Sequence, residues 1–182
     1  MATSLLFRDG IHSDLPACLQ IDHSYETEYV WQMRLQTEGD QQQITFQRER
    51  LPRRLEAVWP VSERRLQLAL PPEHCFLIVE DRETGAIIGY LTMRHDPVYH
   101  VGRLQDVVIA PPHRRQKIGM RLLNIARKWA DQQQITILTA ELQTQNFPGI
   151  LFCQAVGLAF CGFNDHYFPN QDIAVFFSET LR

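Results

Sequence analysis

A cluster of basic side chains marks the stretch of sequence most suited to chemistry. Residues 111–128 contain six basic residues and no acidic one, although the whole chain has a net charge of -3. The amides at a helix N terminus have no partner within the helix, and the helix dipole is positive there, so such a point favours a phosphate-bearing ligand. The alternative is a solvated basic face, but this local excess against the overall charge favours a polyanion site. The basic residues are Arg114, Arg115, Lys117, Arg121, Arg127 and Lys128.

The elements around these residues predict a strand, a loop and a helix. Residues 107–109 are β-branched and typical of a buried strand, and the two prolines at 111–112 end the pairing. Apolar residues recur at helical spacing from Ile118 to Ile125, so a helix begins near Ile118. Gly119 allows a ligand to approach the backbone. The loop lacks the Gly-Lys-Ser/Thr ending of a Walker loop and the glycines of a dinucleotide fingerprint.

This stretch resembles motif A of the GNAT superfamily of acyl-CoA-dependent N-acyltransferases. Arg114 and Gly119 match the ends of that motif, and Lys117 stands where the family has its first small residue. The resemblance implies that the strand binds the pantetheine arm of acetyl-CoA and that the loop binds its pyrophosphate. The implied strand residues are Val107, Val108 and Ile109, and the implied loop residues are Arg114, Arg115, Gln116, Lys117, Ile118 and Gly119.

A second block resembles motif B of the same superfamily. A strand over residues 135–142 is followed by a loop and a short helix, with Asn146 and Gly149 on the family Asn and small residue. The resemblance adds Asn146 to the cofactor-binding residues. Cys153 falls where most members have the Tyr that protonates the departing thiolate. Less specifically, residues 7–16 resemble the first strand and helix start of the superfamily, and residues 142–145 faintly resemble streptothricin-type antibiotic acetyltransferases.

The implied reaction is direct attack of an amine on an acetyl thioester. Such a reaction needs a base for the amine, donors for the carbonyl oxygen and a proton for the thiolate. The resemblance places the oxygen on the amide of Val108 or Ile109. Asp106 is the first candidate for the base, with Glu80, Glu141 or a water chain as alternatives. Cys153, Tyr167 or Tyr99 would supply the proton, although packing of a buried thiol is the favoured interpretation of Cys153.

The order of strand and helix signals predicts an α/β fold with a mixed sheet. Together with the resemblance, it implies a GNAT-like fold in which helices flank a central, mostly antiparallel sheet. We expect residues 1–182 to form a single domain. Residues 24–72 are expected to be a variable helical acceptor-side segment, with helices over 28–36, 41–55 and 61–70. Gly89, within a predicted strand, indicates a bulge or a close backbone approach.

Composition narrows the functional classes. A content of 45% hydrophobic and 21% charged residues is typical of a globular protein, and no apolar run suggests a membrane span. Four scattered cysteines favour reduced thiols in a cytoplasm, and no cluster of histidines or cysteines predicts a metal. The overall acidity argues against a nucleic-acid partner.

The sequence therefore predicts an N-acetyltransferase with acetyl-CoA as its co-substrate. The acceptor would be the primary amine of a small molecule, a protein or a peptide, and a homodimer is compatible with the resemblance. The alternative is a non-catalytic sensor domain that binds acyl-CoA without turning it over.

Overall fold

The computed structural model describes residues 4–181. Strands dominate this part of the chain, and their bounds are β1 Leu5–Asp9, β2 Ser24–Glu38, β3 Gln41–Val58, β4 Cys75–Asp81, β5 Ile87–Asp96, β6 Val101–Ile109, β7 Ile137–Gln143, β8 Ala159–Asn164 and β9 Ala174–Thr180. The α-helices are α1 Leu15–Gln20, α2 Glu63–Gln67, α3 Ile118–Gln132 and α4 Phe147–Ala155. Short 3-10 turns precede α1 at His12–Asp14 and follow β6 at Pro111–His113.

Seven of the strands form one mixed sheet. Its order is β1-β4-β5-β6-β7-β9-β8, and β2 pairs with β3 in a separate hairpin. The ladders from β1 to β4, β4 to β5 and β5 to β6 are antiparallel, whereas β6 and β7 are parallel. The long crossover that parallel pairing requires contains α3. The α/β class with a mostly antiparallel, helix-flanked sheet is confirmed.

The contacts divide the described chain into two compact units. Unit 1 consists of residues 4–23, 59–140 and 178–181, and unit 2 consists of residues 24–58 and 141–177. The single domain expected over residues 1–182 stays a prediction.

The core of unit 1 lies around β4, β5 and the first two helices. Its central cluster is fully or nearly fully buried, and each such side chain contributes about 1.5–3 kcal/mol by leaving water. One face of α3 is buried as well, as its helical spacing of apolar residues predicts. The cluster consists of Leu15, Cys18, Ile21, Leu66, Phe76, Ile78, Tyr90 and Val108.

Gly89 confirms the expectation of a close approach and a bulge within β5. A Cβ at this position would lie 2.7 Å from the carbonyl oxygen of Val108, so a side chain would collide with the neighbouring strand. The register between β4 and β5 also shifts beside it, because Val79 pairs with Gly89 and Glu80 pairs with Ile87.

Unit 2 contains a long hairpin where the sequence analysis expects helices. The helices expected over 28–36 and 41–55 are wrong, because these residues form β2 and β3. Tyr29, Trp31, Met33 and Leu35 alternate along one face of β2, a period of two that fits a strand and not a helix. On β3 the four-residue spacing of Leu51 and Leu55 imitates a helix.

The irregular part of the hairpin surrounds the proline of β3. The register jumps between Thr27 and Tyr29 of β2, whose partners are Leu55 and Arg50. Pro52 lies inside that jump, where a residue without an amide proton is tolerated.

The third expected helix, over 61–70, is shortened to Glu63–Gln67, and Ser62 caps it by accepting a hydrogen bond from the amide of Arg65.

An aromatic cluster holds the hairpin within unit 2. Trp31 lies 5.9 Å from Phe46, 5.6 Å from Phe160 and 5.7 Å from Phe177, measured between ring centroids. Aromatic pairs at these distances and tilts stabilise beyond the area that they bury.

Candidate functional site

One edge of β6 offers main-chain donors that a ligand can use. The amide of Ala110 donates to the carbonyl of Ile88 on β5 at 2.8 Å. Because amides alternate along an antiparallel strand, the amide of Val108 also faces β5, and those of Val107 and Ile109 face the opposite edge. Of the two amides expected to hold the carbonyl oxygen, the geometry favours Ile109 over Val108.

The ladder on that opposite edge is short. Among the described residues, β7 pairs with β6 only from Val101 to Leu104, whose partners run from Ile137 to Ala140. The last five residues of β6, 105–109, extend beyond this ladder. On this edge the carbonyls of Gln105 and Ile109 accept from arginine side chains, and the amides of Val107 and Ile109 are left as donors. Free amides on a strand edge suit an extended ligand that carries amides of its own.

The loop that follows β6 adopts an unusual backbone. Arg115 and Lys117 have φ values of +63° and +61°, in the left-handed region that favours glycine. Lys117 is the N-cap of α3, and its side chain makes no capping hydrogen bond. The first amides of α3 therefore stay available to an anion, beside the charges of Arg115 and Lys117.

The side chain of Arg114 fixes this loop from within. Its Nε donates to the carbonyl of Ile109 at 2.8 Å, and its NH2 group donates to the carbonyl of Asp22 at 3.0 Å. The Arg114 side chain thus clamps the backbone of the loop, and its part in binding the cofactor stays a prediction. Gln116 also binds inward, since its Nε2 donates to the carbonyl of Pro112 at 3.2 Å.

Asp106 is buried at the centre of a hydrogen-bond network. Its carboxylate accepts from Trp59 Nε1 at 2.7 Å, from Arg65 Nε at 3.0 Å and from Thr92 Oγ1 at 2.5 Å. The NH2 group of Arg65 also donates to the carbonyl of Gln105 at 3.0 Å. Each of these donors occupies an acceptor position of the carboxylate. This arrangement ties the carboxylate of β6 to Trp59 and Arg65, and the expected role of Asp106 as the base stays a prediction.

Sequence reasoning missed the partners of Asp106. Trp59 and Arg65 stand more than 40 residues before it, and no spacing rule links them to it. It also missed a buried pair on the same unit, in which His23 Nε2 lies 2.9 Å from the hydroxyl of Tyr90. Burial lowers the pKa of His23 and raises that of Tyr90, so both groups stay neutral near pH 7.

Asn146 begins α4 in unit 2. Its Oδ1 accepts a hydrogen bond from the amide of Gly149 at 3.0 Å, which satisfies one free donor of the helix. A Cβ on Gly149 would lie 2.9 Å from that same oxygen. The pairing of asparagine with glycine three residues later thus has a structural reason, and cofactor binding by Asn146 stays a prediction.

The two candidates for the proton donor also lie in unit 2. Cys153 is buried on α4, and this burial raises the pKa of its thiol to about 12. Such a thiol is a weak acid and a weak nucleophile near pH 7, in agreement with the packing interpretation. Tyr167 is exposed, and its hydroxyl donates to a carboxylate oxygen of Glu141.

The structure thus divides the candidate residues into two sets. Asp106, residues 107–109 and residues 114–119 come together in unit 1, around the end of β6 and the start of α3. Asn146, Cys153 and Tyr167 belong to unit 2.

Two kinds of feature are absent from the described residues. No helix between residues 4 and 181 is long and apolar enough to cross a membrane. Within the same residues, no group of three or more histidine, cysteine, aspartate or glutamate side chains could hold a metal ion.

Comparisons with known proteins place this geometry among acetyltransferases. The model of the acetyltransferase (GNAT) family matches residues 27–158. A nourseothricin acetyltransferase structure superposes with a TM-score of 0.80 at 21% identity, covering 98% of this chain and 99% of the other. A streptothricin acetyltransferase structure from Bacillus anthracis, in complex with acetyl coenzyme A, superposes with a TM-score of 0.79 at 20% identity. It covers 98% of this chain and 100% of the other. The ribosomal-protein-S18-alanine N-acetyltransferase of Escherichia coli superposes with a TM-score of 0.67 at 13% identity, covering 97% of this chain and 94% of the other. No curated protein sequence matches significantly.

Proposed function

The chain belongs to the acetyltransferase (GNAT) family, and we propose that it binds acetyl-CoA along the open edge of β6 and at the start of α3. The protein is an N-acetyltransferase that passes the acetyl group of acetyl-CoA to a primary amine. The observation that carries the proposed site is the pair of outward amides on Val107 and Ile109, followed directly by the left-handed loop before α3.

These elements suit the two halves of acetyl-CoA. The pantetheine arm carries amide groups that can pair with a strand edge, as an added strand would. The pyrophosphate is an anion that suits the first amides of α3 and the charges of Arg115 and Lys117. Arg114 holds the loop in the required shape through its bonds to Ile109 and Asp22.

The proposed reaction is one direct displacement. The amine nitrogen, after losing a proton, attacks the thioester carbon, and the C–S bond breaks as the thiolate leaves. The amide of Ile109 donates to the carbonyl oxygen while it carries negative charge. Asp106 acts as a positioning residue, because its bonds to Trp59 and Arg65 hold the strand that carries this amide.

Tyr167 is the proposed donor of the proton to the thiolate. Its hydroxyl is on an exposed side chain, and its single proton is donated to Glu141. That hydrogen bond opens before the proton passes to the thiolate, and Glu141 can then pass a proton back to the phenolate. Cys153 is assigned to packing, because its pKa of about 12 leaves it protonated and unreactive near pH 7. In this scheme a chain of waters carries the proton of the amine to bulk solvent, with no single side chain as the base.

The first acceptors to test are small molecules. Two structures that superpose over nearly the full length of both chains are named as nourseothricin and streptothricin acetyltransferases. Their names support a small-molecule amine ahead of a protein or a peptide as the acceptor of this chain.

Steady-state kinetics with an amine panel test the proposal. Release of coenzyme A thiol from acetyl-CoA is measured with and without each amine, including nourseothricin. We expect amine-dependent release with lines that intersect in double-reciprocal plots, since both substrates must be bound before transfer. Parallel lines would indicate a covalent acetyl-enzyme and contradict direct attack. Binding of acetyl-CoA without release for any amine would contradict the enzyme activity.

The proposed compartment and assembly follow from weaker observations. All four cysteines are free thiols, which supports work in a reducing compartment such as the cytoplasm. A homodimer stays a prediction that sedimentation analysis of the purified protein would test.

A further inference from the structure

The seven-stranded sheet ends in an edge strand, β8, that belongs to unit 2. β1 lies at the opposite edge, and β9 is the only neighbour of β8 among the described strands. Within residues 4–181, no main-chain to main-chain hydrogen bond outside the pairing with β9 involves residues 159–164. The outer edge of β8 therefore presents a row of main-chain donors and acceptors with which another strand can pair.

Charged side chains protect β1 but not β8. Edge strands of natural proteins often carry charged residues or proline, which discourage pairing with another chain. β1 contains Arg8 and Asp9, and Arg8 forms ion pairs with Asp14 and Glu80. β8 contains no charged residue and no proline, and its first three residues are exposed. The composition of β8 thus leaves its edge open to association.

Gly162 of β8 is not required by the chain's own structure. Its φ lies outside the left-handed region, and a Cβ there would meet nothing nearer than the ring of Phe176 at 3.9 Å, an ordinary contact. By contrast, a Cβ on Gly89 or Gly102 would lie 2.6 or 2.7 Å from a neighbour. Glycine weakens a strand, and it often marks a place where another backbone approaches closely. Gly162 therefore points to a partner outside the chain.

Phe160 stands two residues before Gly162 and so shares its face of the strand. The Phe160 ring lies 5.6 Å from Trp31 and 5.4 Å from Phe46, measured between ring centroids, yet 43% of the residue stays exposed. In an antiparallel pair, an aromatic side chain opposite a glycine covers the main chain that the glycine leaves open. β8 contains both members of such a pair.

We propose that β8 pairs antiparallel with β8 of a second copy of this chain, with Cys161 at the centre. A twofold axis between the two Cys161 residues places Phe160 of each copy opposite Gly162 of the other. The pairing brings no like charges together, because β8 contains none. This inference goes beyond the proposed activity and does not depend on it.

A second β8 is a better partner for this edge than β1 of another molecule. An identical strand supplies both the aromatic ring and the glycine, whereas β1 contains no glycine and carries Arg8 and Asp9. Because two β8 strands use the same surface on both copies, their contact closes at a dimer. Pairing of β8 with β1 would be head-to-tail and would extend into a filament.

Oxidative cross-linking of Cys161 tests the register. Residues directly opposite each other in antiparallel strands have Cα atoms about 4.5–5.5 Å apart, within the range that a disulfide spans. Diamide takes up the two protons and two electrons that two thiols release as the disulfide forms. The other three cysteines are buried, so the exposed Cys161 is the thiol that reacts. We expect a covalent dimer from the wild-type protein on non-reducing electrophoresis and none from Cys161→Ser.

A thiol moved along β8 is the matched control for chance collisions. The double variant Cys161→Ser, Asn164→Cys carries its thiol at another exposed position of the strand. In the proposed register the two copies of residue 164 are six positions apart, about 20 Å, which is too far for a disulfide. We expect its cross-linking to be at least about tenfold slower than that of the wild type. Equal rates would overturn the proposal.

Sedimentation analysis of Cys161→Lys tests the dimer in solution. Two lysines would face each other across the twofold axis, and like charges directly opposite destabilise a strand pair. We expect the wild-type protein to sediment as a dimer and Cys161→Lys to raise the Kd of that dimer at least about tenfold. Cys161→Ser and Asn164→Lys, which place no like charges opposite each other, should stay within about threefold of the wild type.

Three outcomes of the sedimentation analysis would overturn the proposal. They are a wild-type protein that stays monomeric up to about 100 μM, a species larger than a dimer, and a Cys161→Lys protein that dimerises like the wild type. Because residue 161 is exposed, the lysine variant should keep its fold, which circular dichroism checks.

Discussion

The hairpin of unit 2 and the loop before α3 in unit 1 both reverse through left-handed residues, but they use different residue types. The hairpin has Gly39 at φ +59°, and a Cβ there would meet nothing within 4 Å. The loop has Arg115 and Lys117 at φ +63° and +61°. Glycine adopts this conformation without a steric cost, whereas other residues pay about 1 kcal/mol or more.

This difference indicates which reversal is built for binding. The hairpin turn connects two strands, and a glycine is sufficient for that purpose. The loop is strained at two charged residues, and the hydrogen bonds of Arg114 hold it in that conformation. The same conformation places charged side chains beside free amides. Strained backbone that the surroundings hold in place is typical of functional sites.

Removing one partner of an ion pair should destabilise the protein much more in unit 1 than in unit 2, and this is the largest difference that we expect between the units. The side chain of Asp106 in unit 1 is fully buried and pairs with Arg65, whose side chain is 30% exposed, whereas Glu26 and Arg54 pair on the exposed hairpin of unit 2. Removing one partner of a buried pair costs about 3–5 kcal/mol, and an exposed pair contributes about 0–1 kcal/mol. We expect losses of these sizes in Asp106→Ala and Glu26→Ala, measured by urea denaturation. Equal losses, or an Asp106→Ala protein of unchanged stability that lacks only activity, would favour Asp106 as the base.

The start of α3 should be more sensitive to a negative charge than to the loss of a positive one. Gly119→Asp places a carboxylate where the pyrophosphate is expected, and the helix itself tolerates an acidic residue in its first turn. We expect it to weaken acetyl-CoA binding at least about tenfold, against less than about threefold for Arg121→Ala. The guanidinium of Arg121 lies 4.3 Å from the centre of the Phe7 ring. Calorimetric titration compares the two variants, and equal losses would contradict the placement of the loop.

Substitutions at Gly39 and Lys117 test how much a left-handed backbone conformation costs in the free energy of unfolding. Gly39→Ala should lower the free energy of unfolding by about 1 kcal/mol, because alanine is strained at positive φ. Lys117→Gly should cause no such loss, since relief of strain offsets the greater freedom of glycine in the unfolded chain. The variant should still bind acetyl-CoA a few-fold more weakly through the loss of charge. A large loss of stability in Lys117→Gly, by thermal unfolding, would show that the lysine is not strained.

The thiol of Cys153 should have the smallest effect on activity. Cys153→Ala should keep kcat within about threefold, because a buried thiol with a pKa near 12 does not release its proton near pH 7. The exposed Cys161→Ala is the matched control. A loss of about 100-fold in kcat with an intact fold would make the thiol the proton donor.

Alkaline unfolding checks the same thiol independently. Unfolded Cys153 loses its proton above its ordinary pKa of 9.0, whereas the folded thiol keeps it to about pH 12. The folded state then holds more protons, so stability falls as pH rises from 9 towards 12. Cys153→Ala should reduce this fall by about 1.4 kcal/mol per pH unit. An unchanged slope would contradict the raised pKa.

The sequence predicted the elements whose signals are local. The strand before the loop and the helix Ile118–Gln132 have clear apolar patterns and proline boundaries, and the structure confirms them. The helices expected over the hairpin are wrong because the spacing of Leu51 and Leu55 also suits a helix. Its period of two over residues 29–35 was the signal that could have identified it.

The network of the candidate site depends on distant contacts that no local pattern encodes. The place of Asp106 on the strand predicts a catalytic role, but its bonds to Trp59 and Arg65 join residues 47 and 41 positions apart. Arg114 matched a family motif, yet its side chain binds the backbone of Ile109 and Asp22. The role of such residues follows only from their partners.

Amide hydrogen exchange with and without acetyl-CoA tests the proposed binding site most directly. The account predicts slower exchange at the amides of Val107 and Ile109 and at residues 116–120 when acetyl-CoA binds, because these groups gain hydrogen bonds to the ligand. The amide of Val108, already directed at β5, should change less. Binding of acetyl-CoA that leaves residues 105–120 unprotected and slows exchange elsewhere would contradict the account.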